Sequence, residues 1–181
     1  MNKITFATLA ASALIGVGLM GCSRKSDSSV NPSPPPKAQQ ATTPETAPII
    51  QSVLTVWKQG DKSAAVSRFL ETDWSARPLF TPGSTMSLSE DQFKALPLAD
   101  SDTKSRAMMP ELRALKELAA AVAQAGRDAA AKKNSAQARK HFTSLEQCGE
   151  ALESSDTLLI VKLVGKGLKK MADTELAKLG Q

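Results

Sequence analysis

The fold of this chain is decided by residues 112–152, which read LRALKELAAAVAQAGRDAAAKKNSAQARKHFTSLEQCGEAL. Apolar residues recur there at spacings of three and four, which is the period of an amphipathic helix. They form two stripes, one of Leu112, Leu115, Leu118, Ala119, Val122, Ala125 and Ala129, the other of Ala138, Phe142, Leu145, Cys148 and Leu152. Between the stripes, Asn134 or Ser135 can cap a helix. This stretch therefore predicts two consecutive helices.

The same period extends to both sides of this stretch. Upstream, one apolar stripe spans residues 49–57 and ends at Gly60-Asp61, and a second spans residues 65–74. Downstream, Ser155 or Asp156 can cap a last helix, which Gly180 ends. No stretch shows a convincing two-residue period of a strand. We therefore expect an all-α domain of five or six helices in antiparallel hairpins.

The region between the second upstream stripe and the two-helix stretch, residues 75–111, contains turn and helix-breaking residues. Pro and Gly residues predict a loop over residues 75–87. The segment Ser87-Leu-Ser-Glu90 fits a capping box, which would begin a short helix that Pro97 ends. Pro110 either starts the long helix or kinks one that has already begun near Thr103.

Two of the expected hairpins resemble the tetratricopeptide repeat, whose second helix carries a small residue and an aromatic one four positions later. Ala65 and Phe69 match this pattern, and so do Ala138 and Phe142, with Gly126 twelve residues before Ala138. The two Ala residues are 73 positions apart, which is not a multiple of the 34-residue repeat. The resemblance implies two degenerate hairpins separated by an insert. An irregular helical bundle explains the same pattern and is the alternative.

Composition separates the first 48 residues from the rest. Residues 1–21 hold three of the ten Gly and one charged side chain, and residues 23–48 hold six of the ten Pro. The net charge of the chain is +5, of which residues 49–181 contribute +3. Only residues 49–181 have the apolar content to form a core, so we expect them to be the folded domain.

The N-terminus has the organisation of an export signal, a basic residue followed by an uncharged apolar run. The run ends in Leu19-Met20-Gly21-Cys22, which resembles the lipobox of bacterial lipoproteins. The resemblance implies that residues 1–21 are removed and that the Cys22 thiol carries a diacylglycerol, which anchors the protein in a membrane. An ordinary signal peptide or an uncleaved anchor helix is the alternative. Ser23 stands where Asp would favour inner-membrane retention, so we expect a periplasm-facing protein, at the outer rather than the inner membrane.

Residues 22–48 are expected to be the lipidated Cys and a disordered tether. Ser, Pro, Thr and Gln dominate this segment, and Val30 is its only large aliphatic residue. Such a composition buries too little apolar surface to offset the entropy of ordering. Fully extended, residues 23–47 would reach about 75 Å, and as a flexible coil they would average about 30 Å. The tether would lift the domain off the membrane, and a Pro-rich ligand for a partner is the alternative.

Catalytic and metal-binding motifs are not found in the sequence. There is no G-x-S-x-G, H-E-x-x-H or phosphate-binding Gly-Lys-Ser/Thr loop. His141 is the only His, which rules out a multi-His metal site, and we do not expect a Ser-His-Asp triad either. We expect it at a partly exposed helix edge, and we expect Cys148 to be a buried structural thiol. Ser101 and Lys104 match S-x-x-K without the companion motifs. The sequence therefore predicts a non-enzyme without metal or cofactor.

The last helix has a basic face formed by Lys162, Lys166, Lys169 and Lys170. Its apolar residues, expected to pack into the core, are Ile160, Val161, Val164, Leu168 and Met171. A solvated basic face is the simplest interpretation, and contact with anionic lipid or cell-wall polymers is the alternative. Nucleic acid is not an expected partner, because an exported lipoprotein does not meet the chromosome. Gly165 and Gly167 predict a kink or a close helix crossing.

These features predict a lipid-anchored, non-enzymatic protein that presents a helical surface to an envelope protein. Candidate contact residues are Arg77, Leu79 and Phe80, in the loop after the second helix. Burial of Leu79 and Phe80 in the core is the competing expectation. The alternative function is a periplasmic module that binds peptidoglycan or anionic lipid through the basic face of the last helix.

Overall fold

The computed structural model describes residues 48–180, and within them it contains helices, turns and loops but no strand. The expected all-α domain is therefore confirmed for this part of the chain. The predicted signal peptide, the lipobox and the tether up to residue 47 lie outside the described residues. In chain order the elements are α1 (Ile49–Lys58), α2 (Lys62–Glu71), a 3₁₀ turn (Thr85–Ser87), α3 (Glu90–Lys94), α4 (Leu98–Ala131), α5 (Ser135–Glu153) and α6 (Leu159–Leu179).

Helices α1 and α2 form the first hairpin, and its turn is set by two consecutive residues. Gly60 has a φ of +89°, a left-handed conformation that glycine adopts without steric strain. Asp61 then caps α2, because its carboxylate accepts a hydrogen bond from the Ala64 backbone N–H at 2.9 Å. The chain therefore ends one helix and starts the next within three residues, as the pattern of Gly60-Asp61 predicted.

Helix α4 begins earlier than expected and runs through Pro110. It starts at Leu98, directly after Pro97, and not near Thr103 or at Pro110 itself. Pro97 takes the extended conformation of a residue that precedes a helix, with φ −55° and ψ 146°. Pro110 lacks a backbone N–H and removes one hydrogen bond of the helix without ending it.

Helices α4 and α5 form the second hairpin, in the place that the two apolar stripes predicted. Asn134 is the cap of α5, since its side chain accepts a hydrogen bond from the Gln137 N–H at 3.1 Å. Gly126 of α4 lies against the Phe142 ring: a Cβ at this glycine would be 2.6 Å from Cε1 of that ring. Ala138 and Phe142 are both buried. The resemblance of the two hairpins to tetratricopeptide repeats stays a prediction.

The cap of α3 lies two residues further along than predicted. Ser89 and not Ser87 precedes the helix, and its hydroxyl accepts a hydrogen bond from the Gln92 N–H at 3.2 Å. The Gln92 side chain accepts one from the Ser89 N–H at 3.0 Å, which completes a capping box. Gln serves as well as Glu at this position. Glu90, the predicted partner, has a different role.

Helix α6 starts at Leu159 without a side-chain cap from Ser155 or Asp156, so the predicted cap is wrong. The Ser155 hydroxyl instead donates to the Leu152 carbonyl at 2.6 Å, in the last turn of α5. The backbone N–H of Leu159 donates to the Glu90 carboxylate of α3. The start of α6 is therefore held by a side chain 69 residues away along the chain. Gly180 follows the helix, as predicted.

The hydrophobic core is built around α4, which contacts α1, α2, α5 and α6. The loop after α2 contributes to this core, because Leu79 and Phe80 are buried. The same loop is hydrogen bonded to the start of α1: the Ile49 and Ile50 N–H groups donate to the Pro78 and Leu79 carbonyls at 3.1 and 3.0 Å. The loop predicted over residues 75–87 is thus packed against the domain along part of its length.

Helices α5 and α6 cross closely at a point where two glycines face each other. A Cβ at Gly149 would be 2.7 Å from the Gly165 carbonyl oxygen, and a Cβ at Gly165 would be 2.6 Å from the Gly149 oxygen. Both distances are too short for any side chain. The close crossing predicted at Gly165 is therefore present. Gly167, which was also expected at this crossing, faces open space, and a Cβ there would have no atom within 4 Å.

Candidate binding surface

Four large apolar side chains of α4 and α6 are exposed around one hollow in the surface. Met109, Leu159 and Leu163 are each more than half exposed, and Ile160 is 39% exposed. All four line a hollow of about 390 Å³ between α4, α6 and the short α3, whose Glu90 and Phe93 also line it. We call Met109, Leu159, Ile160 and Leu163 the α4–α6 apolar patch. Of the large apolar side chains that are exposed in residues 48–180, only Leu98 lies outside this patch.

The patch arises because the first turns of α6 are apolar on more than one face. Val161 is buried against the core, whereas Leu159 and Leu163 lie on the opposite side of the helix. Ile160, which we expected on the packed face, points towards α4 and stays partly exposed. A helix with one apolar stripe can bury all of it. Here the stripe is wider than the core can cover, and the excess forms the patch.

A groove continues from the patch along α4. It has a volume of about 440 Å³, and Met109 and Ile160 lie where it adjoins the patch. Apolar atoms dominate its lining, and its charged lining residues are Arg113, Lys116 and Glu117. The groove therefore has an apolar interior and two basic residues against one acidic residue at its border.

The four lysines of α6 do not form one solvated face. Lys169 pairs with Glu153 of α5 at 3.2 Å, and this hydrogen bond and its charge raise the pKa of the Lys169 ammonium. Lys166 and Lys170 are exposed and Lys162 is half-buried, and none of the three has an ion pair within residues 48–180. Lys169 thus joins α6 to α5, while the other three remain available to a ligand.

The predicted contact residues of the loop after α2 also differ in whether a partner can reach them. Leu79 and Phe80 are 3% and 6% exposed, so they belong to the core and not to a contact surface. Arg77 is exposed, and its Nη1 donates to the Ala76 carbonyl at 3.0 Å. Of these three candidates, therefore, only Arg77 is accessible to a partner.

Arg77 lies beside a polar cleft of about 470 Å³ between this loop and α5, which Asp73 and Glu150 also line. The Ser75 hydroxyl and N–H donate to the Asp73 carboxylate at 2.6 and 2.9 Å, which lowers the pKa of Asp73. The polar groups of Asp73 and Arg77 are thus engaged in local turns. Of the three charged residues that line the cleft, this leaves only Glu150 without such a local contact in the described part of the chain.

The side chains that could act in catalysis are buried or hydrogen bonded to the backbone. His141 is buried, contrary to our expectation of a partly exposed edge, and its Nδ1 lies 2.7 Å from the Gln137 carbonyl oxygen. Its Cβ lies close to Gly126 of α4, 3.1 Å from where a Cβ at that glycine would be. Cys148 is buried as expected, and burial raises the pKa of its thiol. The Ser101 hydroxyl donates to the Leu98 carbonyl at 2.9 Å.

Within residues 48–180, no group of His, Cys, Asp and Glu side chains could hold a metal ion. None of the helices there combines the length and the hydropathy that spanning a bilayer requires. No protein-family model, curated protein or solved structure matches the chain. The fold and the surface thus define an all-helical domain with an exposed apolar patch and a partly basic border.

Proposed function

We propose that the chain is a lipid-anchored protein of the bacterial cell envelope and that its helical domain is a non-enzymatic binding module. The tetrapeptide Leu19-Met20-Gly21-Cys22 at the end of an apolar run supports the anchor. One observation carries the binding role: the α4–α6 apolar patch leaves four large apolar side chains exposed. Contiguous exposed apolar surface on a folded domain is typical of an interaction site.

The patch supports this role better than the Arg77 loop does. Arg77 is hydrogen bonded to backbone carbonyls of its own turn, and its neighbours Leu79 and Phe80 are buried. The patch, by contrast, combines apolar contact area with unpaired lysines next to it. A protein held at a membrane by residues 22–48 would meet two kinds of partner with this surface: other envelope proteins, and the membrane or cell wall itself.

We expect the mature protein to begin at Cys22 and to carry covalent lipid there. Mass spectrometry of the N-terminal peptide, from protein extracted out of bacterial membranes, should show the added diacylglycerol and an acylated amine. Cys22→Ser should abolish the modification, because only a thiol accepts the diacylglycerol. Cys148→Ser is the matched control and should keep the lipid, since Cys148 is buried in the domain. An unmodified Cys22, or cleavage at another bond, would refute the anchor.

We also expect the patch to contact a partner in living cells. A photo-crosslinking amino acid at Leu163 should give defined adducts, because this side chain is exposed within the patch. The same amino acid at Lys132, which is exposed at the far end of α4, is the control and should give none. Equal adducts from both positions, or none from Leu163, would contradict the binding role of the patch.

A further inference from the structure

Lysines lie next to the patch on the exposed face of α6. Lys166 follows Leu159 by seven residues and Leu163 by three, and Lys170 follows Leu163 by seven, so these four side chains share one helix face. Lys166 and Lys170 are exposed. This face therefore presents leucines in the first two turns of α6 and lysines in the next two.

The opposite border of the patch is also basic. Arg113 and Lys116 of α4 line the groove that starts at Met109 and Ile160, with Glu117 as the acidic residue among them. Large apolar side chains between cations are typical of surfaces that lie on a membrane. The apolar groups reach the acyl boundary, while long lysine and arginine side chains extend to the head groups. Two carboxylates lie near these cations, that of Glu117 in the groove and that of Glu90, which lines the hollow of the patch. The four cations of the two borders outnumber them, and this excess of positive charge complements an anionic surface.

A second copy of the chain fits this surface less well. In a two-fold symmetric dimer the same patch faces itself, and a residue near the axis meets its own copy. Both borders of the patch are basic, so Lys166 and Lys170 would meet the basic residues of one border or the other on the second copy, and like charges across an interface oppose association. An anionic partner meets the same surface without this repulsion.

The chain outside the described residues favours the membrane over a free partner. The domain starts at Ile49, and residues 23–47 connect it to Cys22. As the disordered tether that their composition predicts, residues 23–47 would average about 30 Å end to end, so the bilayer would stay within reach of the patch. Tethering of this kind gives effective concentrations of about a millimolar, at which a weak intrinsic affinity is enough for binding.

We propose that the domain docks on the anionic lipid surface of its own anchoring membrane through the α4–α6 apolar patch, with Lys166, Lys170, Arg113 and Lys116 at the head groups. This inference deepens the proposed function and rests on its lipid anchor. It places the domain against the bilayer, whereas the tether by itself would allow it to stand off.

The test uses the chain from residue 22 to residue 181 with Cys22→Ser, which removes the anchor and leaves only the intrinsic affinity of the domain. Leu163→Cys then carries an environment-sensitive fluorophore. Cys148, the other thiol, is buried and does not compete for the label. Vesicles of phosphatidylcholine containing phosphatidylglycerol should shift the emission of this label to the blue, and vesicles of phosphatidylcholine alone should not. Lys132→Cys is the control position and should show no shift.

Substitutions of the lysines and of the leucines measure separately the electrostatic and the apolar contribution to vesicle binding. Lys166→Glu with Lys170→Glu should weaken vesicle binding at least about 25-fold, since each lysine near an anionic surface contributes about fivefold. Leu159→Gln with Leu163→Gln should weaken it about tenfold. Lys132→Glu with Lys140→Glu changes the net charge equally on another exposed surface and should have a much smaller effect. Circular dichroism should be unchanged, because all these positions are exposed.

Several outcomes would overturn the inference. They are equal binding to both kinds of vesicle, an equal shift at Lys132, dimer formation through the patch in analytical ultracentrifugation, or no vesicle binding at all. If vesicles do not bind but the Leu163 photo-crosslinker captures an envelope protein in cells, the membrane inference fails and the binding module stands. If Cys22 carries no lipid, the anchor itself fails, whatever the vesicles show.

Discussion

Gly149→Ala is expected to lower the free energy of unfolding by about 2–3 kcal/mol. The new Cβ would lie 2.7 Å from the Gly165 carbonyl oxygen and 2.9 Å from the Lys169 backbone nitrogen. Both neighbours are backbone atoms of α6, so no side-chain rotation can relieve the overlap and the two helices must separate. Urea denaturation followed by circular dichroism measures the change as a lower midpoint.

Gly167→Ala is the matched control, because it makes the same chemical change on one of the same two helices. A Cβ at Gly167 meets no atom within 4 Å. Alanine at an exposed helix position is favoured over glycine by about 1 kcal/mol, so this variant should be slightly more stable than the native chain. Equal effects of the two substitutions would show that the Gly149–Gly165 contact does not hold the helices together.

The helices could be predicted from the sequence because each buries a stripe that recurs every three or four residues. Val53, Phe69, Leu118 and Leu145 all lie in such stripes, and the structure buries each of them. Local signals also located the turn at Gly60 and the end at Gly180. These features depend on residues that are close together along the chain.

The start of α6 could not be predicted in this way, because its partner is distant along the chain. The Glu90 carboxylate accepts the Leu159 N–H from 69 residues away, and no local pattern records such a contact. The local candidates, Ser155 and Asp156, looked better by composition. Ser155 is instead used within the last turn of α5.

The candidate surface was only partly visible in the sequence for the same reason. The α6 lysines could be found from their spacing, but the Lys169–Glu153 pair depends on how α5 and α6 cross. That crossing is set by Gly149 and Gly165, and the excess apolar width of α6 emerges only once the crossing is fixed. Ile160 illustrates this: periodicity places it near the packed face, and the packing leaves it partly exposed.

For the loop after α2 we expected either contact residues or burial of Leu79 and Phe80, and the structure confirms their burial, which gives the loop a structural role. Trp74 is 3% exposed, and its Nε1–H donates to the Ser144 hydroxyl of α5 at 3.3 Å. That hydroxyl donates in turn to the Phe69 carbonyl of α2 at 3.2 Å. The Trp74 ring also packs against the Phe69 ring, with centroids 4.6 Å apart. One indole therefore links the loop, α2 and α5.

Trp74→Ala is accordingly expected to lower the free energy of unfolding by about 3–5 kcal/mol, the range found when a large buried aromatic is truncated. Trp74→Phe keeps a ring against Phe69 and loses the N–H donor, so it should be clearly less damaging than Trp74→Ala.

Trp57→Ala is the control. That indole is only partly buried, with the Lys62 ammonium 5.6 Å from its ring centre, and its removal should be less than half as damaging. Urea unfolding followed by circular dichroism compares the three variants without relying on tryptophan fluorescence. Equal losses at Trp57 and Trp74 would mean that the loop does not tie α2 to α5.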